Sequence, residues 1–173
     1  MKQLVWLADG LSELAGKISA WALFVIGFCI CYEVFARYLF NAPTIWVSEV
    51  TMQLQIWAVF LTAGYVLKHR EMIRIEIILK DHTSVWRKLA ETFSIFMIFV
   101  FATPAIYYGF EIWMRAVKSG HTTDSFLAIP KWVTEGAVWI GFTILALQAL
   151  AELWRIWTVG IPAASDDPLE GAH

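Results

Sequence analysis

The stretch Arg37-Tyr-Leu-Phe-Asn-Ala-Pro-Thr-Ile-Trp-Val-Ser-Glu49 decides how this chain folds. It joins two apolar runs, Ile18 to Phe40 and Ile45 to Leu67. Each meets the length needed to cross a bilayer, about 20 residues at ~1.5 Å of rise apiece. The connection between them, Asn41 to Thr44, holds no lysine or arginine and is very short, so the two runs form a helical hairpin. Trp46 begins the returning run, where tryptophan suits the membrane–water boundary. Glu49 lies in that helix's first turn, where the helix dipole favours a negative charge by a few tenths to about 1 kcal/mol.

Outward from this hairpin the composition stays apolar. Of 173 residues, 59% are hydrophobic and 16% charged, and the mean hydropathy is +0.61. Soluble domains carry roughly 25% charged residues, so this surface is solvated by lipid. Two further runs, Leu89 to Val117 and Trp132 to Trp157, bring the spans to four, with Pro104 expected to bend the third. The fold class is an all-α integral membrane protein with four transmembrane helices. Residues 1–158 read as a single four-helix membrane domain. Residues 159–173, with Pro162, Asp166, Asp167, Pro168 and Glu170, read as a flexible cytoplasmic tail. The net charge of −2 says nothing about partners, and the lack of a basic stripe argues against nucleic acid.

Lysine and arginine set the orientation. Lys68, Arg70, Arg74, Lys80, Arg87 and Lys88 crowd the connection between spans two and three, against Lys118 and Lys131 between three and four. The positive-inside rule puts 68–88 in the cytoplasm, and with four spans both termini lie there too. Near the N-terminus Leu4, Leu7, Leu11, Leu14 and Ile18 recur at helical spacing, while Asp9 and Glu13 argue against a cleaved signal peptide. Residues 3–16 therefore read as an interfacial helix or as an early extension of the first span. Residues 83–91 carry a similar choice: a short helix on the inner membrane surface, capped by Thr83 or Ser84, or a solvated start to the third span.

The polar residues narrow the chemistry. His69, His82, His121 and His173 all lie outside the spans, which excludes haem held between helices. Cys29 and Cys31, two apart on a helix, point in different directions and read as packing residues. Nothing here suggests an enzyme, a metal site or a cofactor. Glu33 is the sharpest candidate, because a carboxylate within a span costs on the order of 2.5–3.5 kcal/mol. One reading makes it the coupling group of an autonomous small proton-coupled transporter. The other pairs it with Arg37, four residues on along the same face. Glu111 and Arg115 repeat that spacing, and Gln53 continues the face of Glu49, where glutamine commonly bonds to a neighbouring helix. Pro43-Thr-Ile-Trp46-Val-Ser-Glu49 also matches Pro130-Lys-Trp132-Val-Thr-Glu135. A parallel internal repeat explains the match, and so does convergence of two inbound helix starts.

With these residues placed, the chain resembles the small membrane subunit of tripartite ATP-independent periplasmic (TRAP) transporters, the Q-type or DctQ-like subunit. The resemblance covers approximately residues 15–157. It is carried by RYLFNAPTIWVSE at the first turn, LKHREMIRIEIIL after the second span and SFLAIPKWVTEGAVWIGF entering the fourth. Such subunits often have a histidine just before the Ile-Arg pair, whereas here Met72 precedes Ile73-Arg74. The resemblance implies a bacterial inner-membrane, multi-pass protein without catalytic or substrate-binding residues of its own. Its partners would be a large M-type membrane subunit, a periplasmic binding protein and lipids, with phospholipid at the subunit joint. It would scaffold the large subunit and assist docking of the binding protein during ion-gradient-driven uptake of an organic acid. Glu33, Arg37, Asn41, Pro43, Trp46, Glu49, Gln53, Arg74, Glu111, Arg115, Trp132 and Glu135 are then structural or subunit-interface candidates.

Overall fold

The computed structural model describes residues 2–69 and 85–158. They form four helices: α1 (Lys2–Leu39), α2 (Trp46–Lys68), α3 (Val85–Ser119) and α4 (Lys131–Thr158). All four are long and apolar enough to cross a membrane. They alternate in direction, so one end of the bundle carries the Asn41 and Leu127 connections. The other carries Lys68 and the outer ends of α1 and α4; these are called below the turn end and the termini end.

Residues 3–16 are not a separate interfacial helix. They are the first turns of α1, which runs unbroken for 38 residues, about 57 Å at 1.5 Å per residue. The reason is visible in what the helix buries. Leu7, Leu11, Leu14 and Ile18 are exposed, whereas Ala8, Ser12, Ala15 and Ser19 face the bundle. Water would select the leucine stripe as the buried face. In lipid the tails are as apolar as leucine, so small residues that let backbones approach take the interior instead. Residues 85–91 likewise belong to the continuous α3, and 83–84 lie outside the described residues, as does the tail 159–173. Pro104 lies inside α3 without ending it.

Packing follows the same rule throughout. α4 is the central helix, in contact with α1, α2 and α3, and α1 also lies along α2. Gly141 of α4 meets the backbone of Phe60, where an added Cβ would sit 2.6 Å from the Phe60 Cβ and 2.7 Å from its carbonyl oxygen. Gly64 of α2 similarly admits Ser12 and Ile144, so α1, α2 and α4 converge there. Near the termini end Leu67, Ile95, Ala149 and Ile156 form the buried apolar cluster, with Ile98, Phe99, Leu145 and Leu153 around it.

Candidate functional site

Two groups of polar side chains lie in the bundle, one towards each end. At the turn end α1 closes on Asn41, whose φ of +53° is a left-handed conformation that asparagine tolerates better than most residues. The Ala42 amide then donates to the Ala36 carbonyl at 3.1 Å. This reversal folds Thr44 back over the helix it has just left. Glu33, 9% exposed, accepts from Arg37 Nη2 at 2.6 Å and Nε at 3.1 Å, and from the Thr44 amide at 3.0 Å. The Thr44 hydroxyl meets the same carboxylate. The i,i+4 pair expected from the sequence forms, and the turn adds donors that the spacing did not reveal. Pro43 is exposed in that turn, and the Trp46 ring lies 6.0 Å from that of Tyr32.

The next two candidates, Glu49 and Gln53, run down one face of α2, which Trp57 continues. Ile45 begins the helix without a side-chain cap, and Glu49 does not cap its own helix. Its carboxylate accepts from the Leu127 amide at 3.0 Å, so it holds the α3–α4 connection instead. Four residues on, Gln53 Oε1 accepts from the Thr134 hydroxyl at 2.8 Å. After four more, Trp57 Nε1 donates to the Val133 carbonyl at 3.1 Å. Glu49, Gln53 and Trp57 thus bond α2 to the start of α4 and the loop before it.

The corresponding corner of the second hairpin is built differently. Glu111 and Arg115 pair at 3.4 Å with both side chains largely exposed. Among the described residues no loop donor reaches Glu111 as Thr44 reaches Glu33. Trp132 is exposed at the start of α4 and Glu135 is half-buried on the next turn. Arg74 lies outside the described residues.

The second group, at the termini end, was missed by sequence reasoning. Gln148 is fully buried and Glu152 is 3% exposed, both on α4. Ser12 donates to Gln148 Oε1 at 2.9 Å, and Gln148 Nε2 donates to Asp9 Oδ1 at 3.2 Å. Arg155 donates to Glu152 at 2.6 Å and also bridges to the Asp9 carboxylate. Lys68, ending α2, reaches Glu13 at 2.7 Å and the Asp9 carbonyl at 3.3 Å, while His69 lies 3.2 Å from Glu13. Asp9, Ser12 and Glu13 occupy one face of α1, and Gln148, Glu152 and Arg155 one face of α4. That helical spacing within apolar runs was the available signal; the cross-helix partners, up to 146 residues apart, were not.

Chemically, both groups fasten helices: each carboxylate described in them meets donors from another helix, a turn or the following helical turn. A scan against protein-family models matches residues 26–159 to the family described as tripartite ATP-independent periplasmic transporters, DctQ component. A search among curated proteins found no match.

Proposed function

Because the chain belongs to the DctQ family of TRAP-transporter components, we propose that it is the small, non-catalytic scaffold subunit of a TRAP-type secondary transporter. It is a multi-pass membrane protein with four membrane-length helices. The observation that carries the scaffold reading is how its polar groups are used. Glu33, Glu49, Gln53, Gln148 and Arg155 are bonded to other parts of the same chain, linking turns and helices. Groups committed in this way support rigidity rather than the binding and release of a polar substrate.

On this reading the chain lies in a bacterial inner membrane with residues 68–88 and both termini in the cytoplasm. A large M-type subunit uses an ion gradient to drive uptake of an organic acid, and this subunit holds it in place. The turn end faces the periplasm and assists docking of the binding protein. Glu33, Arg37, Asn41, Pro43 and Trp46 shape that corner, while Glu49 and Gln53 brace it against α4. Phospholipid fills the joint between subunits, and the role needs no cofactor.

The test is reconstitution in proteoliposomes with an imposed gradient. The large subunit and the binding protein are expected to give organic-acid uptake only when this chain is present. Uptake by this chain alone would overturn the scaffold reading in favour of an autonomous transporter.

A further inference from the structure

The outward face of α2 differs from those of its neighbours. α1 presents Trp21, Phe24 and Phe28 and α3 presents Phe93, Phe96 and Phe101, all well exposed. Such bulky apolar side chains suit lipid. α2 instead turns out Ser48, Met52, Gln55 and Val59, with Met52 and Val59 each 61% exposed. Thr62 and Val66 continue the line, half-buried. The six positions alternate steps of four and three residues, the heptad seam along which one helix packs into another. Slim and hydroxyl-bearing side chains are what bring helices together inside a membrane.

Gln55 makes the case sharper. It lies nine residues, about 14 Å, along α2 from Trp46 and thirteen, about 20 Å, from Lys68, close to mid-height. Gln53 bonds to Thr134 and Gln148 bonds within the termini-end network. Thr51, Thr92, Thr103 and Thr143 return their hydroxyls to carbonyls of their own helices. The Gln55 amide is exposed and makes no hydrogen bond among the described residues. An amide left unbonded in hydrocarbon is costly, because no water is present to satisfy it.

We propose that Ser48, Met52, Gln55, Val59, Thr62 and Val66 form the seam on which α2 receives a helix of the large membrane subunit. That helix carries a hydrogen-bonding group at mid-membrane depth that meets the Gln55 amide. The inference rests on the scaffold reading above, which supplies a membrane partner of a different sequence. One polar residue in an otherwise apolar seam fixes register and partner choice, and does so at the position where an unpaired group would cost most.

The experiment co-expresses the full chain with the large subunit of its transporter. A photo-crosslinking phenylalanine analogue replaces Val59 in one sample and Phe24 in another. Crosslinking of the large subunit from position 59 is expected. Gln55→Leu should weaken co-purification of the large subunit by about three- to tenfold, the range for one interhelical hydrogen bond in a membrane. The position-59 crosslink is read with Gln55 intact, so it decides the matter even if Gln55→Leu misfolds. A complex that crosslinks from position 24 and not from 59, or a crosslink from 59 to a second copy of this chain, overturns the seam and leaves the scaffold reading standing. Failure of the wild-type chain to co-purify the large subunit overturns both.

Discussion

Glu33 sits among donors: two nitrogens of Arg37, the amide of Thr44 and the Thr44 hydroxyl. Glu33→Gln keeps the shape and one acceptor oxygen but turns an NH2 group towards these donors. It is expected to lower stability by about 1–2 kcal/mol, in line with the loss of charge-assisted hydrogen bonds. Thermal unfolding in detergent reads that change, and transport follows assembly if the role is structural. Full assembly with lost ion coupling would instead assign Glu33 a titrating role. Arg155 offers a stronger test, since it holds two carboxylates, Asp9 and Glu152. Arg155→Ala should cost about 2–4 kcal/mol, below the full penalty for breaking a buried pair because Arg155 is part-exposed. Arg115→Ala, at an exposed pair, should change stability by less than about 0.5 kcal/mol. Equal losses at Arg155 and Arg115 in the same unfolding assay would contradict the burial difference. The Glu33–Arg37 pair was legible because both partners lie one helical turn apart. Thr44 was not, because only the left-handed Asn41 turn brings it back.

At the scale of the helices, membrane packing inverts the reading that water teaches. The leucine stripe of residues 4–18 suggested an interfacial face, yet the bundle takes the alanines and serines between those leucines. Small residues carry little hydrophobic signal, so their burial shows only once partner helices are placed. Gly141 tests this directly. Its contact with the Phe60 backbone leaves no room for a methyl group, and backbone cannot rotate aside as a side chain can. Gly141→Ala is expected to destabilise the α2–α4 contact by about 1–3 kcal/mol, the usual cost of overpacking. Nothing lies within 4 Å of a Cβ built at Gly27 of α1. Gly27→Ala should therefore stabilise by up to about 1 kcal/mol through helix propensity alone. Opposite shifts in melting temperature for these two substitutions are the expected result. A neutral Gly141→Ala would show that α2 and α4 are not held in close contact.

Over the whole molecule, the span count and membrane class followed from composition and run length, since a lipid-solvated helix must declare itself over about 20 residues. What stayed hidden were bonds between distant segments: Glu49 to the Leu127 amide, and Asp9 to Arg155. These long-range bonds work at opposite ends of the bundle. The first ties the start of α2 to the α3–α4 connection, and the second ties the start of α1 to the end of α4. The termini end also holds Lys68 and Arg155, with Arg87 and Lys88 in the first turn of α3, and the chain adds Arg70, Arg74 and Lys80 between the second and third helices. The turn end's connections, residues 40–45 and 120–130, hold no lysine or arginine, and its helix ends carry Arg37, Arg115, Lys118 and Lys131. That asymmetry should orient the bundle with its termini end in the cytoplasm, because translocating a dense cationic connection is disfavoured. A fluorescent reporter fused after Thr158 should therefore mature in a bacterial host, and an export-dependent phosphatase at the same place should stay inactive. The phosphatase inserted within the 121–129 connection should be active. The reverse pattern would invert the protein in the membrane and put the Glu33–Thr44 corner on the cytoplasmic side, against the docking role proposed for it.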